Sequence, residues 1–446
     1  MRRNHAGLLR SSTVLGAALL VALFLPTSGP VASTPLAHRE VLPNGIVLLV
    51  SHRPAVPIVA ARAYVQGAGA AFDPPDRQGL ANLTGALLSR GTATRSATQL
   101  DAAIEFVGGS LETGVDRDGL VVAVDVLSKD ISLGLDLLSE VLLSPAFPED
   151  ELARKVKEIQ AAIQRAEESP DGLAARALRR LVFSPHPYAW PVEGTRESVA
   201  KVTHADVVGF YQGHVRPDTT IITVVGAVSR DAARREILAR LGRWARPAAP
   251  APELPMVSAG GPPRTEAIKR DLAQSTVLMG RQAIRQTDPD YFALAVASYI
   301  LGGGSSSRLY DRVREQEGLA YSVWSDVGPA RYGAWLTVGA QTRAAAALKV
   351  SDLLRDELAR MGREPVSDRE LELAKAYLIG SFPLRLDTTA KVASFITASQ
   401  AQGLGLDYAD RYRQGVTRVT TADVQRVSAR FFAPNSFNRV VVGQSP

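Results

Sequence analysis

The stretch that decides the fold reads GGGSSSRLYDRVREQEGLAYSVW and covers residues 302–324. Its three glycines end one helix, and the serines after them can cap the next. Two apolar residues four positions apart predict a helical stripe, which Gly318 terminates, and residues 319–324 then read as a strand. The tight helix-to-strand turn is therefore predicted to hold the Arg314 guanidinium close to the Tyr321 phenol.

The length and composition of the chain indicate two folded domains. With 446 residues it is too long for one ordinary core, and 46% of its residues are hydrophobic, enough for substantial cores. It has no cysteine, which excludes disulfides, thiolate metal sites, a cysteine nucleophile and a lipoprotein anchor. Any chemistry must therefore come from other side chains.

Residues 1–33 are predicted to be a cleaved export signal. Three arginines form a basic front, and the apolar run over residues 14–25 is too short to span a bilayer comfortably. Because residues 30–33 form an imperfect cleavage site, an uncleaved membrane anchor is the alternative. No later stretch is long and apolar enough for a transmembrane helix. We expect an exported, periplasmic protein with no stable membrane anchor after signal removal.

The charge of the mature chain argues against a nucleic-acid partner. Loss of the signal removes three arginines and no acids, which lowers the formal net charge from +6 to +3. No block of Lys and Arg interleaved with aromatic residues is present. We therefore expect no binding to nucleic acid.

An internal repeat is the strongest structural signal in the sequence. Residues 201–226 match residues 418–443 without a gap. In each copy a threonine, Thr203 or Thr420, is followed three positions later by an aspartate, which is a capping-box pattern. Each copy then continues with a helix, a proline-containing turn and a strand that ends at glycine. The repeat predicts a duplicated unit that contains both helices and strands.

A linker rich in proline, alanine and glycine separates the two copies. Residues 246–264 have this composition, so we predict one domain over residues 34–245 and a second over residues 265–446. The turn Asn44-Gly45 between two apolar runs predicts a hairpin at the start of the first domain. The predicted fold class is α+β, with two duplicated domains, each an antiparallel-rich sheet packed with helices.

An inventory of catalytic motifs is mostly negative. No two histidines have the spacing that places zinc ligands on one helix face, and neither a G-x-S-x-G elbow nor a Walker loop occurs. His186 is expected to shape a loop. The three glycines are expected to end a helix rather than to bind a phosphate group. Without further information, Arg314 reads as a cation near a helix C-terminus and Tyr321 as a half-buried strand residue.

Several landmarks occur in an order that is shared with a known family. In the first half they are residues 42–45, 79–81 with 91–92, 184–188 with 194–195, and 224–226; in the second they are residues 301–309 and 314–321. Together these motifs cover nearly all of the mature chain. The sequence resembles the pitrilysin and mitochondrial processing peptidase family of insulinase-type zinc metallopeptidases.

The sequence departs from this family where the family binds zinc. Active members carry H-x-x-E-H on the helix after Gly-Leu-Ala, where the histidines bind zinc and the glutamate activates its water. Here those positions are Asn82, Gly85 and Ala86, and the position of the third ligand, a glutamate in the family, falls near residues 161–162, which are both alanine. The resemblance therefore implies no metal on this chain.

The other part of the family's active site is present. In related peptidases an arginine and a tyrosine, seven residues apart in the C-terminal domain, face the zinc, and Arg314 and Tyr321 match them. The resemblance implies that this pair is catalytic, since a guanidinium can hold a carbonyl and a phenol can stabilise an oxyanion. It also implies that Gly302, Gly303 and Gly304 contact the substrate.

The resemblance implies a subunit that works with a second chain. We expect the zinc-free member of a heterodimeric endopeptidase, whose homologous partner carries the zinc, acting on a peptide bound as an added strand. Two alternatives remain open. One is a catalytically inert scaffold subunit, and the other is a self-sufficient homodimeric zinc peptidase.

Overall fold

Each half of the chain builds one mixed β-sheet covered by helices. The computed structural model describes residues 35–443, so the export signal predicted at residues 1–33 lies outside the described residues. The strands are β1 His38–Val41, β2 Val47–His52, β3 Ile58–Gln66, β4 Ser110–Val115, β5 Gly119–Leu127, β6 Thr220–Gly226, β7 Thr265–Lys269, β8 Gln274–Gln282, β9 Ala320–Pro329, β10 Ala334–Arg343 and β11 Asn438–Gly443.

The helices surround these sheets, and none of them within residues 35–443 is long and apolar enough to cross a membrane. They are α1 Leu80–Leu87, α2 Ala97–Phe106, α3 Ile131–Leu143, α4 Glu149–Glu168, α5 Pro170–Phe183, α6 Arg196–Ala200, α7 His204–His214, α8 Arg230–Leu241, α9 Tyr291–Gly302, α10 Ala347–Arg363, α11 Asp368–Ser381, α12 Thr389–Ala401, α13 Tyr408–Arg418 and α14 Thr421–Phe431.

The two sheets have the same topology. The first has the strand order β1-β2-β6-β3-β5-β4, and the second has the order β7-β11-β8-β10-β9. In each sheet one pair is parallel, β2 with β6 and β7 with β11, and the other pairs are antiparallel. Apart from the added strand β1, the second sheet therefore repeats the first, which confirms the predicted duplicated α+β fold.

Local signals in the sequence produce the expected helix starts. The Thr203 hydroxyl accepts a hydrogen bond from the backbone N–H of Asp206 at 3.2 Å, and Thr420 accepts one from Asp423 at 3.1 Å. Both aspartates bond back to the cap residue, so α7 and α14 begin with capping boxes as predicted. Strands β1 and β2 form the predicted antiparallel hairpin, in which Gly45 adopts a φ of 95°.

The two halves exchange one helix each. Helix α5 of the first half packs on β8 and β11 of the second sheet, and α12 of the second half packs on β3 and β6 of the first. The Leu178 side chain fills the space above Gly280, where a Cβ atom would lie 2.8 Å from it. Val392 and Ile396 of α12 are buried against the first sheet. Each sheet therefore depends on the other half for the cover of one face.

The connection between the halves has no regular structure but is fastened at several points. Residues 246–264 contain neither helix nor strand. The buried Arg216 guanidinium donates hydrogen bonds to the carbonyls of Ala249 and Pro250 at 2.7 and 2.9 Å. Further on, the Val257 N–H donates to the Tyr332 carbonyl at 2.8 Å. The segment is thereby tied to both halves.

Candidate functional site

The glycines at residues 302–304 lie where α9 meets the edge strand β9. A Cβ atom on Gly302 would lie 2.5 Å from the backbone nitrogen of Ser325, and Cβ atoms on Gly303 and Gly304 would meet the Tyr299 side chain at 2.3 and 2.8 Å. Close packing thus requires these glycines. Their contact with a substrate remains a prediction, and packing accounts for them without it.

The segment after the serines is a helix, but not of the kind expected. Residues Tyr310–Gln316 form a π-helix rather than an α-helix. Leu309 and Val313 are fully buried, as their spacing predicts. The Leu319 N–H donates to the Val313 carbonyl at 3.0 Å, across Gly318 with its φ of 61°. This wide turn corrects the prediction, and π-helical turns of this kind occur often at functional sites.

Ion pairs fix this π-helical segment to the second half. Arg308 at its start binds Glu370 of α11 at 2.6 Å, and Glu317 at its end binds Lys349 of α10 at 2.5 Å. Burial alone would raise the pKa of Glu370, but hydrogen bonds from Arg308 and Ser367 outweigh it and lower the pKa to about 2. Both ends of the π-helical segment are therefore held by ion pairs to helices of the second half.

A β-bulge sets the direction of the Tyr321 side chain. Ala320 pairs with Thr342 and Ser322 pairs with Gln341, so Tyr321 is an extra residue without a partner in the β9–β10 ladder. Bulges bend a strand and redirect a side chain, and they are common beside active sites. The Tyr321 side chain is 80% exposed. It points into solvent instead of covering the sheet.

Arg314 lies close to this tyrosine, as the sequence predicted. Its guanidinium carbon is 5.8 Å from the centre of the Tyr321 ring and 4.9 Å from that of Tyr310. Within residues 35–443 the Arg314 side chain has no hydrogen bond or ion pair, and it is exposed. The guanidinium and the phenol are therefore both available to a ligand. The sequence analysis did not predict that Tyr310 packs its ring against the Arg314 guanidinium. Its spacing of four residues from Arg314 could have indicated this contact.

Helix α1 of the first half carries the three positions at which the sequence departs from the family's zinc motif. Asn82, Gly85 and Ala86 lie on α1, and Gly85 is buried where a Cβ atom would be 2.6 Å from Val115 of β4. A glutamate at residue 85 therefore has no room. In the part of the chain that the structure describes, no three His, Asp or Glu side chains are grouped so that they could hold a metal ion.

Comparison with known proteins identifies the family. Residues 47–196 match the family model described as insulinase (peptidase family M16), and residues 201–378 match the one described as peptidase M16 inactive domain. The chain belongs to the insulinase-like M16 peptidase family and carries the inactive type of C-terminal domain. This finding confirms the resemblance that the sequence motifs indicated.

Relatives match over almost the whole chain. A protein of Mycobacterium bovis named as an uncharacterized zinc protease is 28% identical over 411 residues, which cover 91% of this chain and 93% of that protein. The uncharacterized zinc protease YmxG of Bacillus subtilis is 26% identical over 357 residues, or 79% of this chain and 85% of that protein.

Solved structures share the fold. The crystal structure of a peptidase M16 inactive domain from Pseudomonas fluorescens has a TM-score of 0.85 at 25% identity and covers 92% of this chain and 98% of that one. A protease from Helicobacter pylori also has a TM-score of 0.85, at 19% identity, with 93% of this chain and 100% of that one covered. The second likeness concerns the fold alone.

Proposed function

We propose that this chain is the zinc-free subunit of a heterodimeric M16 endopeptidase, in which Arg314 and Tyr321 act on a peptide bound at the zinc of a homologous partner. One observation supports the proposal most. The guanidinium and the phenol stand together, exposed and without other polar partners among the described residues. On α1, by contrast, the position of the glutamate that activates the zinc-bound water in active relatives is Gly85, which packs against Val115.

The chemistry of the pair suits peptide hydrolysis. The Arg314 guanidinium can donate hydrogen bonds to a substrate carbonyl, and the Tyr321 hydroxyl can donate one to the oxyanion of the tetrahedral intermediate. Zinc on the partner would supply the activated water. Because the π-helical segment and the bulge already hold both groups in place, little reorganisation is needed when charge develops on the substrate.

The edge strand provides a place for an extended peptide. Among the described residues, strand β9 pairs with β10 alone, so its other edge offers backbone N–H and C=O groups without strand partners next to Tyr321. A peptide added as a strand would gain main-chain hydrogen bonds there. We propose that this complex works in the periplasm, after the signal at residues 1–33 has directed export.

Mixing with a zinc-bearing family member tests this function. The mature chain is purified, its zinc content is measured, and cleavage of a fluorogenic peptide library is followed with and without an M16 relative that has an intact H-x-x-E-H motif. We expect no bound zinc, no cleavage by the chain alone, and cleavage on mixing. The natural candidate for the partner is a sister protein encoded next to this chain.

Two outcomes would contradict the proposal. Zinc near one ion per chain together with cleavage in the absence of a partner would instead indicate a self-sufficient enzyme. Full activity of the mixed complex after Arg314→Gln and after Tyr321→Phe would indicate a scaffold subunit.

A further inference from the structure

Each exchanged helix leaves a cavity beside it on the sheet that it covers. The α5 cavity, about 240 Å³, lies between α5 and the second sheet and is lined by residues that include Arg179, Trp324 and Trp335. The α12 cavity, about 220 Å³, lies between α12 and the first sheet and includes Arg62 and Arg331. The two cavities occupy equivalent places in the duplicated fold, so their charges can be compared directly.

The charges in the α12 cavity are balanced. Arg62 forms an ion pair with Asp125 at 2.8 Å. Arg331, on the turn between β9 and β10, donates to the Ala401 carbonyl at 3.1 Å, and its backbone N–H donates to Asp118 at 3.2 Å. The guanidiniums of this cavity therefore already have acceptors.

The charges at the α5 cavity are not balanced. Arg179 of α5 lies over the Trp335 ring at 5.0 Å, and Arg117, on the turn between β4 and β5, lies over the same ring at 5.9 Å. Among residues 35–443 neither guanidinium has a hydrogen-bond acceptor or an ion pair, and the Nε atom of Arg117 and the Nη1 atom of Arg179 are buried. Glu193 favours the charged form of both but pairs with neither.

Burial disfavours the charged form of Arg117 and Arg179. It lowers the pKa of Arg117, and burial followed by repulsion from Arg117 lowers the pKa of Arg179 to about 10. A guanidinium with a buried nitrogen that lacks an acceptor lowers the stability of the free protein, and an anion within hydrogen-bond reach of that nitrogen would offset this loss. The geometry thus favours a ligand with a negative charge that fits a planar, bidentate donor, such as a carboxylate.

The remaining wall of the cavity is apolar. Trp324, Trp335 and Phe183 supply aromatic surface, and Leu178 and Leu278 supply aliphatic surface. The one acidic side chain in this lining, Asp171, already accepts hydrogen bonds from Thr276 and Gln341. The cavity, at about 240 Å³, can therefore take a large apolar side chain, with Arg179 in its lining and Arg117 nearby, over the same Trp335 ring.

We propose that the α5 cavity binds a peptide through a carboxylate held by Arg117 and Arg179, with the neighbouring large apolar side chain inside the cavity. The choice of a peptide as ligand rests on the proposed function, but the site itself lies within this chain. The carboxylate comes from a peptide C-terminus or from an Asp or Glu side chain, and these two sources are separated by the test.

Peptide titration of the isolated mature chain tests the site. Three short peptides that end in Phe-Leu are compared: one with a free C-terminus, one with a C-terminal amide, and one amide that carries a Glu next to the Phe. Binding is measured by calorimetry and by the change in intrinsic tryptophan fluorescence, to which Trp324 and Trp335 of the cavity lining contribute. We expect saturable binding of a carboxylate-bearing peptide and at least about 10-fold weaker binding of the neutral amide. Whichever acidic peptide binds more tightly shows whether the site prefers a C-terminal carboxylate or a Glu side chain.

Variants of the two arginines provide the second part of the test. Arg179→Gln and Arg117→Gln are each expected to weaken binding about 10- to 100-fold. The control is Arg180→Gln on the same helix, where Arg180 is exposed and pairs with Glu266 at 2.7 Å. This control is expected to leave the affinity unchanged.

Some results would overturn the inference. Equal affinity for the neutral amide, unchanged affinity in both arginine variants, or no saturable binding of any peptide would each contradict it. The comparison of acid with amide uses the wild-type chain, so a variant that fails to fold does not remove the test. Because no partner is present, the peptide can bind even if the mixed complex fails to cleave, and the two proposals fail separately.

Discussion

The two halves of this protein share a sheet topology but differ at their edge strands. In the first half α1 packs against β4, with Gly85 against Val115, and the three motif positions of this helix are Asn82, Gly85 and Ala86. In the second half α9 packs as closely on β9, through Gly302, yet one extra residue in the strand turns Tyr321 outward. One duplicated scaffold can thus present different side chains at equivalent edges of its two sheets, through changes of a few residues.

The largest effect is expected from removing the chemistry of the second half. Arg314→Gln and Tyr321→Phe are each expected to lower kcat of the mixed complex about 100- to 1,000-fold, because a donor to the developing oxyanion or carbonyl is lost. Thermal stability is expected to change little, since both side chains are exposed. Arg312→Gln, on the same segment, is the control and is expected to keep its activity.

The next largest effect tests whether the halves fold as one. Leu178→Ala on α5 and Ile396→Ala on α12 are each expected to cost about 2 to 5 kcal/mol of unfolding free energy, because both side chains are buried against the opposite sheet. Urea unfolding is expected to stay a single transition in both variants. Leu373→Ala, at a half-exposed leucine of α11, is the control with a small effect. If the two halves unfolded in separate transitions, the packing of α5 and α12 on the opposite sheets would not make the halves unfold cooperatively.

A third variant asks whether the first half can accept the family's glutamate. Gly85→Glu is expected to destabilise the fold by at least about 2 kcal/mol, because its side chain would overlap Val115 and bury a carboxylate. Gly209→Glu on α7 is the matched control, since a Cβ atom there meets nothing within 4 Å. Adding Val115→Ala to Gly85→Glu is expected to recover part of the loss. If the Gly85→Glu protein were as stable as wild type, the packing of Val115 against residue 85 would not exclude a glutamate there.

The smallest effect concerns pH and the base of the π-helical segment. The pKa of Glu370 is lowered from 4.5 to about 2, so its contribution to stability is complete above about pH 4.5 and is lost as the pH falls toward 2. Partial exposure screens the pair, so we expect about 1 kcal/mol. Unfolding of Glu370→Gln is expected to depend less on pH in this range than unfolding of wild type. Glu364→Gln, at an exposed carboxylate, is expected to behave like wild type.

Features with local causes were predictable. The capping boxes at Thr203 and Thr420 and the hairpin at Asn44-Gly45 depend on residues within a few positions, and the structure contains all of them. The proximity of Arg314 and Tyr321 also follows from a short turn. The π-helix over residues 310–316 was not foreseen, because a widened turn leaves the apolar spacing unchanged while it alters the backbone hydrogen bonds.

Features that depend on distant contacts could not be read from the sequence. The bulge at Tyr321 depends on its pairing with β10, and the exchange of α5 and α12 depends on both sheets. Arg117, Arg179 and Trp335 meet from a turn, a helix and a strand that lie far apart in the chain. No local sequence pattern predicts that these three side chains contact one another, since each residue alone is typical of its own turn, helix or strand.

The family, the duplication and the presence of Asn82, Gly85 and Ala86 at the positions of the zinc motif follow from the sequence, because these are properties of residue identity and order. Three features follow only from the packing of distant segments: Tyr321 faces solvent, Gly85 packs against Val115, and two arginines lie near one tryptophan ring. The physical reason is that burial, backbone pairing and charge balance depend on neighbours brought together only when the two halves pack.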